Sequence, residues 1–160
     1  MLAGGVDSCK NIEVPFSATL KAASEKHEQR FNMSGYGAPK LDTVRIGFIG
    51  LGNRGPSSLK RLTLLEGVEI KAICDIRKER LILGESILEE AGLPPVKTYG
   101  DTEDAWKQMC ERDDIDLIYQ VTPWRLHTPV SLYAMEHGKH AASEMPAALT
   151  IEDCWKLVET

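Results

Sequence analysis

The sequence predicts an α/β fold, an open and doubly wound parallel sheet, for residues 43–160. Three observations carry that prediction. Short apolar, β-rich runs alternate with amphipathic segments of helical length. A Gly-x-Gly-x-x-Gly turn joins the first run to the first amphipathic segment. The second run ends on Asp75, twenty positions after the last of those glycines.

Taken in order, residues 1–42 stand apart from the pattern. "FSATLKAASEKHEQRF" suits a polar helix opening at Ser17, but its apolar stripe is thin. "NMSGYGAPKLD" reads as a linker. This stretch is expected to be a flexible arm, or to pack against something outside the chain.

From Thr43 the alternation begins. "VRIGFIG" (44–50) reads as a buried strand, and "PSSLKRLTLLEG" as a helix with Leu59, Leu62 and Leu65 inward. "VEIKAICD" (68–75) is the second strand. "IRKERLILGESILEEAGL" is a helix ending near Gly92, with Pro94 and Pro95 blocking its continuation. "VKTYG" is a short strand, and "TEDAWKQMCERD" a helix carrying Trp106, Met109 and Cys110 on one face. "IDLIYQVT" (115–122) is a fourth strand, "LHTPVSLYAMEHG" a helix ending at Gly138, and "KHAASE" the fifth strand. "TIEDCWKLVET" opens a last helix with Thr150 as N-cap and Asp153 in a capping-box-like place. Strands separated by such helices pair in parallel through right-handed crossovers. The last helix reaches the end of the chain without a C-cap. The expectation is therefore the first domain of something longer.

Bulk properties narrow the function. A chain of 160 residues suffices for one domain with a sizeable core. The net charge of −5, with scattered Lys and Arg, argues against nucleic-acid binding, which depends on neutralising phosphates. No apolar run approaches the roughly 20 residues that span a bilayer. "MLAGGVDSCK" has neither the basic nor the apolar region of an intact signal peptide. The compartment is left open: cytoplasmic by default for this chain, periplasmic or exported for a longer parent carrying a leader. The four cysteines form no C-x-x-C pair, so no zinc site or disulfide framework is expected. Cys74 and Cys154 are expected as buried thiols. His137 and His140 flank Gly138 at a helix end and share no rigid face for a metal. Glu89, Glu90, Asp113 and Asp114 are expected as solvated charge.

The turn "GFIGLGNRGPSS" assigns each glycine a task. Gly50 permits the tight turn, Gly52 lets backbone approach a pyrophosphate, and Gly55 allows helix to pack on strand. Backbone N–H groups at the helix start then face the anion. Pro56 suits the first helical turn, where its missing N–H has no consequence. Asp75 can accept hydrogen bonds from an adenosine ribose and would repel a 2′-phosphate, favouring NAD over NADP. It can equally cap the following helix. Arg77, two residues on, is able to accommodate that phosphate and weakens the distinction.

With these motifs in place, the chain resembles the Gfo/Idh/MocA family, named for glucose–fructose oxidoreductase and inositol dehydrogenase. The resemblance covers about residues 44–160. "IGFIGLGNRG", "ICD", "DIDLIYQVTPWRLHTP", "EHGKHAASEMP" and "TIEDCWKLVET" follow the family's order and spacing. It implies a Rossmann-type nucleotide domain of which a further C-terminal domain supplies the carbohydrate contacts. It also implies that Thr122 and Pro123 end the fourth strand at the crevice. His127 would lie near the cofactor; a helix-start residue bonded to backbone is the equal alternative. Glu144 would lie near the nicotinamide ribose, and Pro146 matches the family proline.

Met145 stands where the dehydrogenases of the family carry lysine, and a thioether donates no proton. "EMPAALTIEDCW", "GLGNRG" and "TPWRLH" are similar to one branch, the NAD-dependent α-N-acetylgalactosaminidases of glycoside hydrolase family 109. That likeness implies transient sugar oxidation, elimination, water addition and reduction. It also implies cofactor contacts from Asn53, Arg54, Asp75, Trp124, Arg125, Leu126, His127, Glu144 and Met145. The catalytic residues stay unknown, since the branch's catalytic tyrosine or histidine would lie beyond Thr160. The chain alone is expected to bind nucleotide and catalyse nothing. A sugar or polyol dehydrogenase and a non-catalytic nucleotide-binding module are the alternatives. Because the family sheet continues past the last helix, an exposed sheet edge is expected, and with it a homo-oligomer.

Overall fold

A computed structural model describes residues 21, 27–30, 33 and 35–160. Cys9 and most of the helix expected from Ser17 lie outside the described residues, and residues 27–30, toward its expected end, are not helical. Five strands form one sheet: β1 (Val44–Ile49), β2 (Val68–Cys74), β3 (Lys97–Tyr99), β4 (Leu117–Gln120) and β5 (His140–Ser143). They pair in parallel throughout, in the order β3-β2-β1-β4-β5. Within residues 43–160 the helices are α1 (Gly55–Leu62), α2 (Lys78–Glu90), α3 (Ala105–Cys110), α4 (His127–Glu136) and α5 (Ile151–Glu159). A 3₁₀ turn, Trp124–Leu126, leads into α4.

That order locates the crevice. From β1 the chain winds outward through β2 to β3, then returns to the other side of β1 as β4 and continues to β5. The reversal lies between β1 and β4, and ligands of such sheets bind outside the carboxyl ends of the strands there.

Alternating side chains divide the core into two layers. Ile46, Phe48, Ile70 and Ile73 pack with Leu51, Leu59, Leu62 and Leu88 on one side. Ile49, Ala72, Cys74 and Ile118 pack with Trp106, Met109, Cys110, Val130 and Ala134 on the other. Gly47 lets α3 approach closely, since a Cβ there would lie 2.6 Å from the Met109 sulfur.

Several expectations need correction. α1 stops at Leu62, and Leu65 is 55% exposed rather than inward. Tight i−3 bonds (Leu64 N–H to Arg61 O, Leu65 N–H to Leu62 O) turn the chain there, and Gly67 at φ +70° leads it into β2. Cys74 is buried as expected, but Cys154 is exposed because α5 buries none of its residues. Asp114 is solvated as expected, its side chain 45% exposed, but it is also forked by Arg112 at 2.7 and 2.6 Å. Part of the arm finds a partner on this chain. The His27 ring stacks on Trp155 at 3.8 Å, and the Arg30 N–H donates to the Glu159 carboxylate at 2.8 Å. The Thr150 cap forms as the sequence predicts, its hydroxyl accepting the Asp153 N–H at 3.0 Å. Among the described residues, no helix is long and apolar enough to cross a membrane.

Candidate nucleotide site

The turn after β1 is bound tightly to its neighbours. Gly50 adopts φ +96°, and a Cβ on it would lie 2.5 Å from the Val121 carbonyl oxygen. Its N–H donates to Cys74 O at 2.8 Å, tying β1 to the end of β2. A Cβ on Gly55 would collide with the Gly50 carbonyl. These two positions need glycine for the turn itself.

Gly52 differs. A Cβ there would meet only the Arg77 guanidinium, 3.7 Å away, so its outer face is open. The pairing of a closed turn with one open glycine fits a dinucleotide, whose pyrophosphate needs backbone unobstructed by a side chain. No side chain caps α1 and Pro56 sits in its first turn, so the start of the helix leaves backbone N–H groups without a side-chain acceptor.

Asp75 follows β2 directly and its side chain is only 7% exposed. Oδ2 accepts the Leu51 N–H at 2.7 Å, and Oδ1 accepts the Arg77 N–H at 2.9 Å. The Arg77 Nε lies 3.4 Å from Oδ1. Asp75 thus braces the glycine turn and the start of α2 together. A carboxylate has about four lone-pair directions, so acceptor capacity remains for a ribose hydroxyl. Beside it, burial and then the Asp75 charge push the Cys74 thiol up to about 12, which leaves it unreactive.

The loops after β4 and β5 form the opposite wall. Thr122 is half-buried; Pro123, Trp124 and Arg125 are exposed, and Leu126 packs toward the core. His127 is fully buried, with Nδ1 2.7 Å from Pro146 O and Nε2 2.9 Å from Thr122 O. The Thr128 hydroxyl adds a bond to Ala147 O at 3.0 Å. His127 therefore joins the two loops, and its ring does not open onto the crevice. Glu144 is half-buried, and Met145 is 88% exposed, preceding Pro146 through a cis peptide bond.

The structure brings the turn 50–55, Asp75, Thr122–Arg125 and Glu144–Met145 to the carboxyl ends of β1, β2, β4 and β5. Arg54, within the turn, reaches across to Glu144 at 3.8 Å. One participant goes unsuspected in the sequence. Gln120, fully buried, donates to His127 O and to Ser131 Oγ, each at 2.8 Å, and accepts from Thr122 Oγ1 at 3.1 Å. Its only signal is an amide inside an otherwise apolar run, where a buried polar group requires partners.

A "Glycosyl hydrolase family 109 protein" of Porphyromonas gingivalis is 55% identical over 122 residues, which are 76% of this chain and 26% of that protein. An "Alpha-N-acetylgalactosaminidase" of Bacteroides fragilis is 52% identical over 141 residues, 88% of this chain and 32% of that one. Among solved structures, myo-inositol dehydrogenase from Lactobacillus casei, in complex with NAD(H) and myo-inositol, matches with TM-score 0.60 and 30% identity. That match covers 72% of this chain and 32% of the other. The chain thus spans about a third or less of the length of these relatives. The model for the oxidoreductase family with an NAD-binding Rossmann fold matches residues 44–160. By that match and that geometry, the chain belongs to the Gfo/Idh/MocA family as its NAD-binding Rossmann domain.

Proposed function

We propose that this domain holds NAD for a hydrolase of α-N-acetylgalactosaminides, whose carbohydrate contacts come from a further domain. The observation that carries the reading is Met145, a bare thioether 88% exposed at the crevice. A dehydrogenase that relies on a lysine here would lack its proton donor. A hydrolase that takes its acid and base from elsewhere would not need one. The name of the 52% identical relative, an alpha-N-acetylgalactosaminidase, supports the same substrate class.

When bound, NAD would take a hydride from a sugar carbon and later return it. The chain's own residues would hold it there. The open face of Gly52 and the start of α1 would receive the pyrophosphate, and Asp75 the adenosine ribose. Asn53 and Arg54 would reach the dinucleotide from the turn. Trp124, 63% exposed, and Met145 would give the nicotinamide end an apolar wall, with Arg125 and Glu144 at its edge. Leu126 and His127 would act from behind, by fixing the loops that carry these groups.

A second reading, a sugar or polyol dehydrogenase, is favoured by the fold match to an inositol dehydrogenase. A full-length parent incubated with a nitrophenyl α-N-acetylgalactosaminide and with free sugars separates the two. Release of nitrophenol without net NADH is the expected result. Steady NADH accumulation from free sugars, with no nitrophenol released, would replace the first reading with the second.

A further inference from the structure

The buried His127 ring meets a backbone carbonyl at each nitrogen, Pro146 O 2.7 Å from Nδ1 and Thr122 O 2.9 Å from Nε2. A carbonyl oxygen only accepts hydrogen bonds, and a neutral imidazole carries one N–H and one bare nitrogen. In that form the ring satisfies one oxygen and turns a lone pair on the other, which burial makes costly. Only the imidazolium donates to both. The neighbouring side chains cannot supply the missing proton. Gln120 spends its amide hydrogens on His127 O and Ser131 Oγ, and the Thr122 hydroxyl donates to the Gln120 oxygen. The arrangement is that of a doubly protonated ring. Burial and the positive end of α4 oppose the charge that the two bonds favour, so the second proton can be lost.

We propose that His127 is a proton-operated pin between the two crevice loops. Doubly protonated, it ties the loop after β4, at Thr122, to the loop after β5, at Pro146. With one proton it holds one loop and releases the other. It is a positioning residue, acting on the nucleotide through Trp124, Arg125, Glu144 and Met145, and that part rests on the nucleotide reading of the site. The charged groups on the joined loops are Arg125 and Glu144, with Arg54 of the glycine turn 3.8 Å from Glu144. Gln120 and Ser131, from the adjoining strand and helix, are uncharged. Protons favour the pinned form, so nucleotide affinity is full at low pH and declines as the ring deprotonates. The Thr128 hydroxyl ties the same two segments through Ala147 O at 3.0 Å and does not titrate in this range, which makes it the control.

Nitrogen-15 NMR of the histidine rings in the nucleotide-free wild type follows the proton directly, from about pH 5.5 to about pH 9. Titration calorimetry follows NAD over the same range. Both His127 nitrogens should be protonated at the acid end and one at the alkaline end. NAD should weaken by about threefold or more across that same step. Thr128→Val should weaken NAD by a similar factor at every pH and keep the step, whereas His127→Gln should lose the step. A ring with one protonated nitrogen throughout, or with two throughout, would overturn the proposal. So would a deprotonation that leaves NAD affinity unchanged, or a step that persists in His127→Gln. Should His127→Gln fail to fold, the wild-type spectra and Thr128→Val still decide. If the wild type binds no NAD at any pH, the nucleotide reading fails, and the ring spectrum judges the pin separately.

Discussion

At the amino ends of β1 and β4, Arg45 and Asp116 meet as a fork. The Arg45 Nε and backbone N–H both donate to Oδ2 at 2.9 Å, and Nη2 donates to Oδ1 at 2.6 Å. Arg112 and Asp114 form a second fork just before β4. At the carboxyl ends of the same strands, Arg54 is 81% exposed and reaches Glu144 only at 3.8 Å. Trp124 and Met145 stand largely in solvent there. One end satisfies its charges within the chain. The other leaves donors, ring faces and an open glycine for something else. The contrast sets residues that satisfy one another within the fold against residues proposed to bind the nucleotide, and it can be tested one position at a time.

The largest effect is expected where the binding end is also architectural. Gly55→Ala would drive a methyl group into the Gly50 carbonyl. A loss of about 3 kcal/mol or more in urea denaturation is expected, together with loss of NAD binding. A fully stable variant would show that the turn relaxes easily.

Asp75→Ala comes next, since Asp75 serves both the turn and the proposed ribose contact. NAD affinity should fall by about 1–3 kcal/mol in calorimetry. Unaltered affinity would remove Asp75 from the site and leave it a brace.

Asp116→Asn probes the other end. It should cost about 1–2 kcal/mol at neutral pH while leaving NAD affinity unchanged, because part of the pairing is solvent-screened. The Arg45 hydrogen bonds hold the Asp116 carboxyl down from 3.8 to about 2. A carboxyl lowered in the folded state stabilises fully above its unfolded value. That contribution falls as pH drops from about 4 toward 2 and is gone below both values. The difference between variant and wild type should therefore shrink across that window. A constant difference would mean that packing, not charge, is what the substitution removes.

The smallest effect on stability belongs to Met145→Lys. An 88% exposed side chain has little packing to lose, so stability should stay within about 0.5 kcal/mol. The chain should also gain no NADH-forming activity on sugars. Measurable NADH formation would show that this domain needs only the lysine.

Most of the fold and much of the candidate site were legible in the sequence. The alternation of apolar runs and amphipathic segments gave five strands in order, because strand and helix periods are local properties. The glycine turn and Asp75 were also legible, since chain spacing alone brings a turn, its strand and the next strand's end together. Thr150 and Asp153 could be paired for the same reason. Tertiary structure decided the rest. Arg45 and Asp116 are 71 residues apart and meet only because β4 pairs with β1. His127 is turned from the crevice by carbonyls on two different loops, and Gln120 has a role only once those loops are in place. Cys154 and Leu65 have apolar character that suggested burial, yet α5 buries no residue and the chain turns after Leu62. Local pattern determines which elements form and where the chain must turn. Which polar groups find partners depends on segments distant in sequence, and only the assembled sheet brings those together.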